Sequence, residues 1–288
     1  MKNNKIEESI ATLKRAEKIA LQLNPNEGIY LAFSGGKDSA VVYKLCQMAG
    51  VKFTPHYSVT GIDAPTNIHH IKSYYPDVRF DHPKENYFRL VEKKGLPMMH
   101  TRFCCSRLKE NMGAGNVIID GVRAEESRNR AKYNEVMVRS RRVENIKKGR
   151  NRTFTEIEEN EHRCIKGKDR IDVHPILKWT SAEVWEFMLE NNIPVNPCYS
   201  YLTRVGCMYC PFASKEQITI YEEEYPQYKK RLLLAIQRFM KRKKIEGIST
   251  PEDYFNWWKS KKTLKKWIME KEINAVVGDQ ESLFFQYR

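Results

Sequence analysis

The stretch "LAFSGGKDSAVVYKL", Leu31 to Leu45, joins an apolar run to a helical pattern through two glycines, a lysine, an aspartate and serines. "IYLAF" (Ile29 to Phe33) is short, apolar and aromatic, as a buried strand should be, and "SAVVYKLCQMAG" reads as a helix that stops at Gly50. A strand that turns through "SGGKDS" into a helix suits a polyphosphate. Gly35 and Gly36 let backbone amides approach the oxygens closely. The helix offers unpaired N–H groups and the positive end of its dipole. Lys37 adds a full charge, the Ser34 and Ser39 hydroxyls add donors, and Asp38 is placed either to cap amides or to help seat magnesium. A Walker loop is excluded, because it needs glycine where Leu31 stands and serine or threonine where Asp38 stands. The GxGxxG fingerprint of dinucleotide sites is also missing.

Outward from this stretch, strands and helices alternate. "KFTPHYSV", "VRFDH" and "NVIIDGV" read as strands, with "PTNIHHIKSYY" and "NYFRLVEKKG" as the helices between them. This alternation predicts an α/β fold with a doubly wound, mostly parallel sheet. Ile6 to Leu23 reads as an amphipathic helix. Arg123 to Asp169 reads as a long irregular segment, after which "IDVHPIL" resumes a strand. Thr180, with Glu183 three residues on, predicts a capping box at the start of another helix. From Lys215 the pattern is helical, with Trp257, Trp258 and Trp267 as packing anchors. The expected organisation is an N-terminal helix over 1–25, a nucleotide-binding domain over 26–214 and a helical lobe over 215–288.

At 288 residues the chain can bury a sizeable core, and its 41% hydrophobic and 30% charged residues describe an ordinary globular protein. It lacks a membrane-spanning apolar stretch and reads as cytoplasmic. The net charge of +14 points to a polyanionic partner, set against a solvated basic surface. Basic residues concentrate in "VRSRRVENIKKGRNR" (Val138 to Arg152) and "YKKRLLLAIQRFMKRKK" (Tyr228 to Lys244). An odd count of seven cysteines in a reducing compartment favours ligation or catalysis over disulfides. Four fall in two pairs, Cys104 with Cys105 and Cys207 with Cys210; Cys46, Cys164 and Cys198 stand alone. Four thiolates suit an iron-sulfur cluster or structural zinc.

"FSGGKDS" after a strand resembles the PP-loop of the adenine nucleotide alpha hydrolase superfamily. "VTGIDAPTNI" (Val59 to Ile68), "GVRAEESRNRA" (Gly121 to Ala131) and "VHPILKWTSAEVWEFMLENNIPVNPCY" (Val173 to Tyr199) resemble, in order, segments of the PAPS/APS reductase family (3'-phosphoadenylyl sulfate/adenylyl sulfate reductases), with Val59 where that family has aspartate. The resemblance implies a PP-loop type fold binding ATP or adenylyl sulfate, with Ser34, Gly35, Gly36, Lys37, Asp38 and Ser39 on the phosphates. It implies phosphate or substrate contact by Arg123 and Arg128, and magnesium or ribose contact by Asp63. It also implies a 4Fe-4S cluster on Cys104, Cys105, Cys207 and Cys210. Reductases of the family carry a nucleophilic cysteine in a C-terminal tail, and here no cysteine follows Cys210. The expectation is therefore an ATP-dependent sulfur transferase acting with a sulfur donor protein on a nucleic-acid acceptor. The alternatives are a reductase using Cys46, Cys164, Cys198 or an external thiol, and a non-catalytic nucleotide-binding partner protein.

Overall fold

The computed structural model describes residues 2–109, 113–139, 150–157 and 169–274. They form two compact units, one made of 1–84 and 105–207, the other of 85–104 and 208–288.

The first unit is built on a seven-stranded sheet. In chain order its strands are β1 (Ile29–Ala32), β2 (Phe53–Ser58), β3 (Arg79–Asp81), β4 (Val117–Ile119), β5 (Val136–Arg139), β6 (Arg150–Arg152) and β7 (Arg170–Val173). Their spatial order is β3-β2-β1-β4-β7-β5-β6. The five from β3 to β7 pair in parallel, and β5 and β6 add an antiparallel edge. The fold is thus α/β with a doubly wound, mostly parallel sheet. The chain runs outward from β1 to β3 and then returns to lay β4 on the other side of β1. This reversal makes the C-terminal ends of β1 and β4 the topological switch point, where open α/β sheets bind ligands.

Helix α1 (Lys2–Leu23) buries Ser9, Thr12, Leu13, Ala16, Ile19 and Ala20, the spacing that lays one stripe against a core. It belongs to the first unit rather than standing apart. Ser9 Oγ donates to Pro175 O at 2.7 Å, and Lys5 pairs with Glu183 at 2.7 Å. Helix α2 (Lys37–Ala49) ends where Gly50 takes φ 65° and returns its N–H to the last turn. Helix α3 is Pro65–Tyr74. Helix α7 (Ser181–Glu190), which follows the helical turn α6 (Phe154–Glu156), begins with the expected capping box, Glu183 N donating to Thr180 Oγ1 at 3.2 Å and Thr180 N to Glu183 Oε2 at 2.7 Å. Fully buried Ile29, Leu31, Val41, Leu45, Ile119, Ile171, Val173 and Phe187 form the centre of the core, each contributing roughly 1.5–3 kcal/mol.

The segment expected to be irregular instead carries β5, β6 and a helical turn at Phe154–Glu156. β6 is the edge strand, and its "RNR" has no apolar alternation to betray it.

The second unit is helical. Helix α4 (Tyr87–Lys94), capped by Asn86 Oδ1 accepting from Arg89 N at 2.9 Å, packs on α9 (Pro226–Arg242), which also meets α8 (Lys215–Glu224) and α10 (Pro251–Ser260). α5 (Phe103–Leu108) crosses the division between the units. Tyr87, Tyr209, Leu232, Ile236 and Phe255 are fully buried. Of the three tryptophans expected as anchors, Trp258 is buried and donates to Pro97 O at 2.7 Å, whereas Trp257 and Trp267 are half-buried. Among the described residues no helix is long and apolar enough to cross a membrane.

Candidate functional site

The loop between β1 and α2 lies at the switch point. Gly35 has φ 76°, a conformation that favours glycine, and a Cβ there would sit 2.9 Å from Ile71. Ser39 Oγ donates to Gly36 O at 2.8 Å and accepts from Ser34 N at 3.2 Å, closing the turn on itself. Two buried asparagines from distant segments brace it. Asn196 Nδ2 donates to Gly35 O at 2.8 Å and to Asn67 Oδ1 at 2.7 Å, while Asn67 Nδ2 reaches Ser34 O at 3.2 Å. The Lys37 amide donates to Tyr199 Oη at 2.9 Å. Burial pushes that phenol up to about 12, so it remains protonated at neutral pH. None of Asn67, Asn196 and Tyr199 carries a local sequence signal of its role.

Lys37 Nζ meets Asp38 Oδ2 at 2.7 Å, and Arg123 Nε meets Asp38 Oδ1 at 2.7 Å. Arg123 is 4% exposed; its Nη1 donates to Glu125 Oε2 at 2.7 Å. Asp38 therefore bridges the loop cation and the buried arginine that follows β4, rather than capping α2. Gly121 makes this closeness feasible, since a Cβ there would lie 2.8 Å from the Asp38 carbonyl carbon.

Of the predicted contact residues, Arg123 is in the site and Arg128 is exposed on the turn beyond it. Arg130, two residues on, pairs with Glu126 and lies within the electrostatic reach of Arg204 and Asp38. Lys37 and Arg123 thus meet on one carboxylate at a helix N-terminus, with Arg130 within its electrostatic reach, a charge arrangement that suits an oligophosphate.

Asp63 sits in the turn that follows β2. Its Oδ2 accepts from Thr60 N at 2.7 Å and its Oδ1 from Thr60 Oγ1 at 2.9 Å, and its backbone bridges to Cys207. It holds the turn after β2 beside a cysteine, where the expectation was magnesium or ribose contact. Thr60 Oγ1 stands 3.8 Å from Cys207 Sγ. Negative charge on Cys207 holds the Lys109 ammonium above its ordinary range against the effect of burial. Burial pushes the Cys207 thiol up while Lys109 pulls it back.

Cys105 and Cys207 belong to the first unit, Cys104 and Cys210 to the second. All four are half-buried thiols, a donor type that suits an iron-sulfur cluster or zinc. Among the described residues no three His, Cys, Asp or Glu side chains are gathered as a metal site, so the fit lies in donor chemistry. Cys46 and Cys198 are fully buried, with thiols pushed up by burial. Cys164 and residues 140–149 of the first basic segment lie outside the described residues.

His174, at the end of β7, has its Nδ1 2.7 Å from Asp120 Oδ1 at the end of β4, and its ring stacks on Tyr133 at 5.7 Å. Burial lowers the His174 pKa, but Asp120 outweighs it and the net direction is up from 6.5, with Asp172 adding and Arg139 opposing. Burial raises the Asp120 pKa, but His174 outweighs it and the net direction is down from 3.8. The histidine's stabilisation is present in full below pH 6.5 and disappears as pH rises through its raised folded value. The aspartate's is present above pH 3.8 and disappears as pH falls through its lowered folded value. Thermal melts of the parent should therefore show an alkaline decline that H174Q loses, with the variant's Tm lower by a few degrees on the acidic side. An unchanged profile would remove the pair from the stability of the switch point.

A family model described as the phosphoadenosine phosphosulfate reductase domain matches residues 28–213. The uncharacterized protein MJ0973 of Methanocaldococcus jannaschii is 27% identical over 269 residues, covering 90% of this chain and 57% of that protein. This chain therefore spans little more than half the length of that relative. Among solved structures, phosphoadenylyl-sulfate reductase from Candida auris, in a phosphate complex, aligns with TM-score 0.40 and 15% identity over 70% of this chain and 93% of its own. The U34-tRNA thiolase NcsA from Methanococcus maripaludis, with its 4Fe-4S cluster, aligns with TM-score 0.39 and 12% identity over 82% of each chain. With the family model matching well over half of its residues, including the loop, the switch point and Cys207 with Cys210, this chain belongs to the phosphoadenosine phosphosulfate reductase domain family.

Proposed function

We propose that the chain is an ATP-dependent sulfur transferase that adenylylates a nucleic-acid acceptor before sulfur replaces the activated oxygen. The observation that carries this reading is the convergence of Lys37 and Arg123 on Asp38 at the N-terminus of α2. An acceptor oxygen attacks the alpha phosphorus, the bond to the beta phosphate breaks and pyrophosphate leaves. A hydrosulfide-level sulfur then attacks the acceptor carbon, and AMP leaves with the oxygen. Both steps are displacements and need no oxidant or reductant. Lys37 and the α2 amides bind the charge of the leaving pyrophosphate, and Arg123 stabilises charge growing at the alpha phosphate. Cys104, Cys105, Cys207 and Cys210 would hold a 4Fe-4S cluster, which would supply a thiophilic iron to sulfur on exchange of one of the four thiolates.

The reductase reading needs a nucleophilic thiol. Cys46 and Cys198 are poor candidates because a buried thiol with a raised pKa supplies little thiolate.

The test is anaerobic protein supplied in turn with ATP, adenylyl sulfate or its 3'-phosphorylated form, with a dithiol and bulk RNA. Pyrophosphate and AMP from ATP are expected; sulfite from either sulfate ester would replace this reading with the reductase. The same preparation should contain about four irons per chain with matching acid-labile sulfide. Zinc without sulfide would overturn the cluster.

A further inference from the structure

We propose that the second unit holds a nucleic-acid backbone in the groove between α4 and α9. The groove has a volume of about 450 Å³, and Phe88, Arg89, Glu92, Arg231, Leu234 and Arg238 are among the residues that line it. It therefore presents three arginines against one carboxylate. Arg231 and Arg238 continue to Lys241 along α9, a run of about 15 Å at ~1.5 Å per residue. α9 itself contains Lys229, Lys230, Arg231, Arg238, Lys241 and Arg242 and no acidic residue. A second depression at its C-terminal end adds Lys244 to Lys241.

Several features select a phosphate backbone among polyanions. The Arg231 guanidinium lies over the Phe88 ring at 4.6 Å, which orders it while its in-plane N–H donors remain suited to forked contact with phosphate oxygens. Arg238 is exposed and pairs with Glu92 at the groove edge, an ion pair that a phosphate can take over at little cost. The helix is basic and amphipathic, the pattern that also suits an anionic membrane. Its apolar face, however, is mostly spent: Leu232, Ala235, Ile236 and Phe239 are buried in the unit's own core, and Leu234 alone among the large apolar side chains of α9 stands exposed, too little to anchor the helix in lipid. What remains outside is a concave, positively charged channel, the form that tracks a strand. Such a groove would hold the acceptor of the reading above, on which the choice of nucleic acid rests.

The test is equilibrium binding of a labelled RNA hairpin to the full chain across a salt series. Changing Arg231→Ala and Arg238→Ala together should weaken binding at least about tenfold and lower the slope of log affinity against log salt by about two. ATP affinity should be unchanged, because neither residue belongs to the phosphate loop. A control pair, Lys14→Ala with Lys18→Ala, removes the same charge from α1 and should leave RNA affinity nearly intact. Equal weakening by both pairs would reduce the groove to net charge and overturn the proposal. So would wild-type affinity in the arginine pair, or binding of poly-glutamate or anionic vesicles in preference to RNA. The two readings fail separately. RNA binding that depends on the arginines, without pyrophosphate release from ATP, keeps the groove and removes adenylyl transfer. Pyrophosphate release with an indifferent groove does the reverse.

Discussion

Lys37→Ala should reduce pyrophosphate release from ATP by about 10²–10³-fold, the usual consequence of losing one preorganised charge at the site where negative charge develops. The lysine occupies the first position of α2, where its amide is held by Tyr199 Oη and its ammonium by Asp38. Its role is electrostatic, so the loss should appear mainly as slower turnover. The backbone of the loop should persist, because Ser34, Ser39, Asn67 and Asn196 close and brace it without the lysine side chain. Iron and sulfide content should be unaffected, as Lys37 is engaged by Tyr199 and Asp38 in the phosphate loop. Turnover at the parent rate would remove the loop from the chemistry. Absence of pyrophosphate release from the parent and the variant alike would instead favour a nucleotide-binding partner protein that has no catalysis to lose.

What the sequence made legible follows from how local each signal is. β1, the "SGGKDS" turn and α2 are one continuous stretch whose apolar run, glycines and Gly50 cap all act within a few residues of one another. The Thr180 capping box is equally local. The residues that escaped act across the fold. Asn196 reaches Gly35 from 161 residues away, Tyr199 reaches Lys37 from 162, and His174 meets Asp120 only because β4 and β7 are sheet neighbours. No period or spacing encodes those meetings. The turn after β4 shows a finer limit. Arg128 and Arg130 are alternatives in one charged stretch, and only the 3-10 turn over Arg130–Lys132 decides which approaches Asp38. Asp63 was legible as a polar residue after a strand, but its partner Cys207 is supplied by a segment 144 positions later. The antiparallel edge was hidden because a short strand of arginine and asparagine looks like a loop.

Asp38→Ala should destabilise the nucleotide-free protein by about 3 kcal/mol, because it leaves Arg123, 4% exposed, without one of its two carboxylates. For a unit of this size that corresponds to a fall in Tm on the order of 6–10 °C. The same change should make ATP a stronger stabiliser than it is for the parent. Asp38 now occupies the ammonium of Lys37 and the Nε of Arg123, and an arriving phosphate must compete with it for both. With the carboxylate gone, the phosphate meets a Lys37 ammonium and an Arg123 Nε that Asp38 no longer occupies, while Glu125 still holds Arg123 Nη1, and it restores the counter-charge that the substitution removed. The shift in Tm produced by saturating ATP should therefore be larger in the variant, narrowing the gap between the two proteins. A variant that is destabilised but gains no more from ATP than the parent would mean that the nucleotide does not draw on Lys37 and Arg123. Asp38 would then be a structural counter-ion, and the switch-point cations would have to be assigned to holding the α2 and β4 segments together rather than to phosphate.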